Sequence, residues 1–335
     1  MQAMPEPGQN GVDQQDTPLA DGLRAGDRRA LAKAITLVES TRADHRQRAQ
    51  QLLDALLPHT GHSLRIGISG VPGVGKSTFI EALGMYLIAR GHRIAVLAVD
   101  PSSSVHGGSI LGDKTRMELL SQRAEAFIRP SPSSGSLGGV AAHTREALLL
   151  CEAAGYDIII VETVGVGQSE TAVAGMTDCF VLLQLPNAGD DLQAIKKGIM
   201  ELADIVVFNK ADIDPAAAQM AAAQMRSALS MLHPASPNWK PPVLTLSAVR
   251  KDGLAEFWQC IEKFRATLGA SGEFEARRRH QALAWMWALI DAGLRSHFNE
   301  APAVREALAA TIAAVEAGRL APGVAARQLL DLAKQ

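Results

Sequence analysis

The sequence has few cysteines, no long apolar run and no block of basic residues. Its three cysteines, Cys151, Cys179 and Cys260, are odd in number and widely spaced, which argues against a disulfide framework and a cysteine-rich metal site. No apolar run approaches the roughly 18 residues that a membrane-spanning helix needs, and the N-terminus is acidic and polar, unlike a signal peptide. The net charge of -2 does not indicate a positively charged surface that would bind DNA or RNA. We therefore predict a cytoplasmic protein with reduced cysteines in its core and with neither a membrane nor a nucleic-acid partner.

The chain is long and apolar enough to fold into one large or two modest domains, with 335 residues of which 47% are hydrophobic. Residues 1–16 are rich in Pro, Gly, Gln and Asp without periodicity, which predicts a disordered tail. In residues 17–60 the apolar residues fall at helical spacing and predict two helices. The last part of the chain, residues 271–335, is rich in Ala and Leu and predicts helices over 273–298, 301–316 and 321–334.

Residues 61–270 show a different pattern, in which short β-branched runs alternate with helical stretches. The predicted strands are 65–69, 94–99, 126–129, 157–161, 179–185, 204–208 and 242–246. Such alternation predicts an α/β fold with a mostly parallel, twisted sheet covered by helices. Ligand-binding loops are then expected at the carboxyl ends of the strands.

A phosphate-binding loop follows the first predicted strand. Its residues are Gly70, Val71, Pro72, Gly73, Val74, Gly75, Lys76, Ser77 and Thr78. Glycines let backbone N–H groups turn toward phosphates, and the following helix adds its positive N-terminal end. We expect Lys76 to reach the terminal phosphates and Ser77 to offer its hydroxyl to Mg²⁺. The alternative is a glycine-rich turn between a strand and a helix.

A second loop identifies the base. Asn209, Lys210, Ala211 and Asp212 directly follow the predicted strand 204–208. The Asp212 carboxylate can accept bonds from guanine N1–H and N2–H₂, each about 1.5–3 kcal/mol, whereas adenine offers an acceptor at N1. A second guanine loop is expected at the end of the next strand, in Ser247, Ala248 and Val249. Taken alone, residues 209–212 could also be a polar turn. Together with the phosphate loop they predict bound GTP or GDP in a P-loop GTPase.

Carboxylates at other strand ends are candidates for holding Mg²⁺ and the attacking water. Glu162 closes the predicted strand 157–161, and Gly165 follows with an amide that can approach the γ-phosphate. Asp100 and Asp113 lie near the same predicted edge. Either aspartate could instead be a helix or turn cap.

Four longer segments resemble one family, the methylmalonyl-CoA mutase-associated G-protein chaperones. They are residues 99–103, 107–117, 162–170 and 187–198, and the likeness covers about residues 19–298. The resemblance implies a homodimeric GTPase that gates adenosylcobalamin loading of an acyl-CoA mutase such as methylmalonyl-CoA mutase. A corrinoid adenosyltransferase is a further implied partner.

The resemblance also implies roles for particular residues. Residues 107–116 become the first switch, 162–170 the second and 185–197 a third, and Asp100, Asp113 and Glu162 become residues that organise Mg²⁺ and water. Lys196 becomes a cation that approaches the nucleotide when the mutase docks, although the residues alone favour a solvated lysine on a helix face. Residues 271–335 become the dimerisation region. The aromatic residues near and within that region fit either a dimer interface or an intramolecular core: Trp258, Phe274, Trp285, Trp287 and Phe298.

Three functions remain open on the sequence. The first is the mutase chaperone. The second is a GTPase that inserts nickel or zinc, although the sequence has no Cys-x-Cys, Cys-Cys or His-rich tract. The third is a kinase-like phosphotransferase of a transport system, for which no motif identifies an acceptor site.

Overall fold

A computed structural model describes residues 16–40, 42–99, 117–129, 137–163, 169–186, 197–232 and 235–334. The chain divides into two compact units, Met1–Arg278 and Arg279–Gln335.

The first unit is built on a seven-stranded sheet in the order β3-β2-β4-β1-β5-β6-β7. The strands are β1 (Leu64–Gly70), β2 (Ile94–Val99), β3 (Ala126–Arg129), β4 (Ile158–Thr163), β5 (Cys179–Gln184), β6 (Ile205–Phe208) and β7 (Val243–Thr245). All neighbouring strands pair in parallel. The predicted α/β fold and its seven strands are therefore confirmed, and the carboxyl ends of the strands share one edge.

Helices cover both faces of the sheet because side chains alternate between faces along each strand. On one face, Ile66, Ile68 and Ile160 pack against helices α4 (Lys76–Ile88) and α10 (Leu254–Ser271). On the other, Ile159 and Val161 pack against the N-terminal helices and two later helices, α6 (Leu137–Ala153) and α7 (Ser169–Ala174). The first unit also contains α5 (Glu118–Ser121), which packs against α4, and two further helices, α8 (Lys197–Leu202) and α9 (Pro215–Ser230).

Three helices, and not the predicted two, precede β1 in the described residues. They are α1 (Thr17–Arg24), α2 (Arg28–Val38) and α3 (Ala43–Leu56), followed by a short 3₁₀ turn at Leu57–His59. The break that the periodicity missed lies at Gly26, which has a positive φ of 74°. Asp27 then caps α2 by accepting a hydrogen bond from the Arg29 amide at 2.8 Å. A glycine and a capping aspartate thus interrupt a continuous apolar pattern.

The amino edge of the sheet, opposite the strand ends that face ligands, is closed by buried ion pairs. Arg278 donates two hydrogen bonds of 2.7 Å to the Asp178 carboxylate, which is 1% exposed. Arg277 contacts Asp204 at 2.8 and 2.9 Å. Burial opposes the charge of both arginines, but the hydrogen bonds to these carboxylates leave the pKa of each above its ordinary value. The start of helix α11 (Glu273–Glu300) is therefore fixed to the strands.

The second unit contains most of α11 together with α12 (Pro302–Glu316) and α13 (Pro322–Leu332). Helices α12 and α13 pack on each other, with Val304, Ala325 and Leu329 buried. The three predicted C-terminal helices are confirmed, with ends shifted by at most a few residues. No helix in the described part of the chain is long and apolar enough to cross a bilayer. Cys151 and Cys179 are buried free thiols and Cys260 is half-buried, and burial raises the pKa of all three.

Candidate nucleotide-binding site

The predicted phosphate loop joins the end of β1 to the start of α4. Gly70 has φ 157°, and a Cβ there would lie 2.5 Å from the Leu183 carbonyl oxygen of the neighbouring strand. Gly75 has φ 92°, and a Cβ would meet Asn209 Nδ2 at 2.8 Å. Both positions therefore require glycine, because a side chain would be strained and would clash. Val74 is buried and anchors the loop in the core, whereas Pro72 and Thr78 are exposed. Val71 is partly buried against the same core.

Lys76 lies at the first position of α4 and its side chain bends back over the loop. Its Nζ donates to the Gly70 carbonyl at 2.8 Å and to the Val71 carbonyl at 3.4 Å. The side chain is only 8% exposed, so the ammonium is held inside the loop by backbone carbonyls. A cation in this place can pair with the terminal phosphates of a nucleotide.

Glu162 and Ser77 approach each other at the mouth of the loop. The Ser77 hydroxyl lies 3.4 Å from Glu162 Oε1. These two residues line one cavity of about 600 Å³, and Gly73, Lys76 and Lys210 line it too. A hydroxyl and a carboxylate are the oxygen donors that Mg²⁺ accepts beside water and phosphates, so the donor set fits this ion. Within the described ranges no group of three or more His, Cys, Asp or Glu side chains could hold a metal by itself.

Asn209 connects the base loop to the phosphate loop. Its Nδ2 donates to the Val74 carbonyl at 2.9 Å, and its Oδ1 accepts from the Ala248 amide at 3.1 Å. Lys210 adds a second connection, since its Nζ donates to the Gly73 carbonyl at 2.8 Å. Lys210 has a positive φ of 61°, which is uncommon for a residue with a side chain. The loops predicted to bind phosphate and guanine are therefore adjacent and hydrogen-bonded to each other.

Asp212 is held by the second guanine loop. A hydrogen bond from the Ser247 hydroxyl, with the nearby Arg250 charge, lowers the pKa of Asp212. Arg250 Nε lies 3.7 Å from Asp212 Oδ2, and the Arg250 amide donates to Ser247 Oγ at 3.1 Å. The carboxylate thus stays ionised and oriented as an acceptor. Val249, the last residue predicted for this loop, is 73% exposed.

Four predicted site residues lie outside the described part of the chain: Asp100, Asp113, Gly165 and Lys196. Sequence reasoning also missed three residues that the fold brings to the site. Arg250 directly follows the predicted tripeptide, so its position was the available signal. Ser69 and Thr163 contact each other through their hydroxyls beneath the loop, at 3.0 Å, and no sequence signal links them because 94 residues separate them.

The aromatic residues that fit either a dimer interface or an intramolecular core differ in how far they are buried. Trp258 is 6% exposed and belongs to the core of the first unit, where its ring lies 5.5 Å from that of His92. Phe274 is partly buried and packs against the same core. For these two residues the intramolecular alternative is correct. Trp285 and Phe298 are half-buried, whereas Trp287 is 60% exposed.

The chain is similar to several known proteins over nearly its whole length. The family model described as methylmalonyl Co-A mutase-associated GTPase MeaB matches residues 31–303. A probable GTPase of Mycobacterium tuberculosis is 57% identical over 316 residues, which is 94% of each chain. GTPase ArgK of Escherichia coli is 50% identical over 92% of this chain and 94% of its own. The mitochondrial methylmalonic aciduria type A homolog of Mus musculus is 50% identical over 94% of this chain and 79% of its own.

A solved structure supports the same conclusion. The crystal structure named LAO/AO transport system kinase matches with a TM-score of 0.77 and 40% identity, covering 97% of this chain and 99% of that one. The predicted resemblance, the P-loop fold and the assignment as a GTP hydrolase are confirmed by these matches. The chain belongs to the family of methylmalonyl Co-A mutase-associated GTPases.

Proposed function

We propose that this GTPase hydrolyses Mg²⁺-bound GTP in the cytoplasm to gate the loading and protection of adenosylcobalamin in an acyl-CoA mutase, with methylmalonyl-CoA mutase as the first candidate client. The observation that carries the proposal is the match of residues 31–303 to a family named for association with that mutase. The mouse relative named for methylmalonic aciduria is consistent with it. A corrinoid adenosyltransferase is the expected supplier of the cofactor.

The residues of the site have separate tasks in this proposal. Loop amides and the Lys76 ammonium bind the phosphates, and Asp212 selects guanine. Ser77 and Glu162 are 3.4 Å apart and would hold the ion or a water bound to it, together with Asp100 and Asp113. These residues would hold an ion whose positive charge would offset the negative charge of the phosphates. Gly165 would place its amide against the γ-phosphate, so the loop that follows Glu162 would respond to hydrolysis.

Lys196 is proposed to supply a positive charge to the transition state when the mutase docks. It precedes α8, which begins at Lys197. Developing negative charge on the transferring phosphoryl group is stabilised by such a cation. Hydrolysis would then be stimulated by the client and not only by the GTPase itself.

Copurification with candidate mutases, followed by GTP hydrolysis with and without each one, tests this proposal. We expect the client to bind and to raise the hydrolysis rate. Lys196→Ala should lose the stimulation and keep the intrinsic rate, and Lys197→Ala is the control that removes a neighbouring charge. Equal loss of stimulated and intrinsic hydrolysis in Lys196→Ala would contradict the gating role, and no binding to any mutase would contradict the client.

A second candidate function is transfer of the γ-phosphate to a protein. The solved relative named as a transport system kinase favours it. Incubation with γ-labelled GTP in a cell extract separates the two functions, because a kinase yields labelled protein and a GTPase yields labelled free phosphate. A labelled acceptor that disappears with Lys76→Ala would favour the kinase.

We also propose that the chain forms a homodimer through α11. This helix carries large apolar side chains that are 40–64% exposed, at spacings of three and four residues: Leu283, Met286, Trp287, Ile290 and Leu294. Such a stripe is expected to pack against a second copy. Trp287→Glu should convert the dimer to a monomer in light scattering. Met231→Glu, at a side chain 84% exposed in the first unit, should not. A dimer that persists in Trp287→Glu and Leu294→Glu would contradict this interface.

A further inference from the structure

We infer that the buried hydroxyls of Ser69 and Thr163 form a positioning pair for GTP hydrolysis, which sets the distance between the phosphate loop and Glu162. The inference rests on the proposed Mg²⁺ site at Ser77 and Glu162 and adds residues that no nucleotide motif contains. It does not depend on the mutase as client.

The two hydroxyls join neighbouring strands at the edge where the nucleotide loops begin. Thr163 is the last residue of β4 and Ser69 is the second-last of β1. The register pairs Ile68 with Glu162, so the next residues along, Ser69 and Thr163, are neighbours. Thr163 Oγ1 lies 3.0 Å from Ser69 Oγ, and both side chains are buried, at 0% and 1% exposed.

Each hydroxyl belongs to a residue that is adjacent in the chain to a residue of the proposed nucleotide site. Ser69 precedes Gly70, where the phosphate loop begins, and Thr163 follows Glu162. Since successive side chains of a strand point to opposite faces, Glu162 lies on the face of α4, where it approaches Ser77. Thr163 and Ser69 meet on the other face. The pair therefore joins the two strand ends on the face opposite the one where Glu162 and Ser77 would hold the ion.

The distance between the Ser77 hydroxyl and Glu162 should change if the Ser69–Thr163 pair is removed. Glu162 Oε1 and the Ser77 hydroxyl are 3.4 Å apart, a separation that suits two groups acting on one ion or its water. A displacement of about 1 Å at a reacting group can cost about 100-fold in rate. Thr163 also pairs with Val99 of β2, the residue before Asp100. Strand β4 therefore lies between β1, which leads to the phosphate loop, and β2, which leads to Asp100.

A purely structural hydroxyl pair would affect stability without affecting the metal. Thr177 provides the comparison, because it is also a buried threonine on this face, 1% exposed. Its hydroxyl donates to the Val173 carbonyl at 2.8 Å, and it lies beside Gly67, further from the loop. Replacing either threonine by valine keeps the shape and removes one buried hydroxyl.

The experiment measures two properties of the full chain without a client: its free energy of unfolding in urea, and its GTP hydrolysis as a function of GTP and of Mg²⁺ concentration. For Thr163→Val and Ser69→Ala we expect about a tenfold fall in kcat, about a tenfold rise in the Mg²⁺ concentration for half-maximal rate, and a KM for GTP within about twofold of wild type. Thr163→Ser should restore both values. The double variant should be no worse than either single one, since the hydroxyls act as a unit.

Thr177→Val should lose comparable stability and keep the wild-type Mg²⁺ dependence. Wild-type kcat and Mg²⁺ dependence in Thr163→Val would overturn the inference, as would a defect that Thr163→Ser shares. If a single variant does not fold, the double variant and Thr163→Ser decide the matter, because removing both partners leaves no unpaired hydroxyl. A wild-type protein without Mg²⁺-dependent hydrolysis would instead refute the proposed function.

Discussion

The two edges of the same sheet are built from different chemistry. At the carboxyl edge the loops are rich in glycine, and their main contacts are hydrogen bonds from Asn209, Lys210 and Lys76 to backbone carbonyls. At the amino edge, buried carboxylates are paired with arginines, as in Asp178 with Arg278 and Glu152 with Arg65. One edge keeps charge available for a ligand, and the other neutralises its charge within the chain. The loops proposed to bind the nucleotide and the buried ion pairs that close the sheet thus lie at opposite ends of the same strands.

The largest expected effect tests the amino edge. Asp178→Ala should lower the free energy of unfolding by about 3–5 kcal/mol, because Arg278 and the Arg65 amide lose a buried partner. Urea denaturation measures this value. Asp21→Ala, which breaks an exposed pair with Arg24, should cost at most about 1 kcal/mol. If Asp178→Ala instead weakened nucleotide binding in the folded protein, the separation between the edges would be wrong.

The next effect concerns the carboxyl edge. Lys76→Ala should lower kcat/KM for GTP by about 100- to 1,000-fold, because the charge that faces the terminal phosphates is lost. Its free energy of unfolding should stay within about 1 kcal/mol of wild type, since only bonds to loop carbonyls are removed. Steady-state kinetics and urea denaturation on the same sample give both numbers. A variant with wild-type hydrolysis would remove Lys76 from the site.

A smaller effect is expected at the base. Asp212→Asn should reduce the preference for GTP over ATP by about 100-fold, because one of the two acceptor oxygens that would face guanine N1–H and N2–H₂ becomes an NH₂ donor. Competition binding with both nucleotides measures the ratio. Asp214→Asn, which alters the cap of α9 outside the site, is the control. Unchanged selectivity in Asp212→Asn would show that guanine is selected by other residues.

The smallest expected effect tests whether the hydrogen bonds between the phosphate loop and the guanine loops contribute to nucleotide binding. Asn209→Ala removes the bonds to both the Val74 carbonyl and the Ala248 amide, which should weaken GTP binding by about 2 kcal/mol. The loss should be similar for GTP and for GDP, because both loops move. Asn238→Ala, at an exposed asparagine, should have no such effect. A loss confined to GTP would place Asn209 at the γ-phosphate instead.

Local patterns were sufficient for the strands and for the nucleotide loops. The run 94–99 is apolar and bounded by polar residues, and β2 spans those same residues. The phosphate loop could be recognised because its glycines and Lys76 must fall at a fixed spacing within one short segment to surround a phosphate. The break at Gly26 was missed because one apolar periodicity continues across it.

Contacts between distant residues could not be predicted in the same way. Arg278 and Asp178 are 100 residues apart, and Ser69 and Thr163 look like ordinary strand residues until the register pairs them. Neither pair has a spacing that a single sequence reveals, because the fold and not the local pattern brings its members together. The ion pairs of the amino edge could therefore not be predicted from the sequence, whereas the loops of the carboxyl edge could.

The two hydrogen bonds of the Asn209 side chain, to the Val74 carbonyl and from the Ala248 amide, have a consequence for redesign. Since one amide side chain bonds to both the predicted phosphate loop and the predicted guanine loop, we expect its replacement to lower the affinity for the nucleotide before it changes the base preference. Engineers who want this protein to accept an unnatural purine triphosphate should keep Asn209 and vary Asp212, whose contacts lie with Ser247 and Arg250. Orthogonal nucleotides could then report its activity inside cells without disturbing other GTPases.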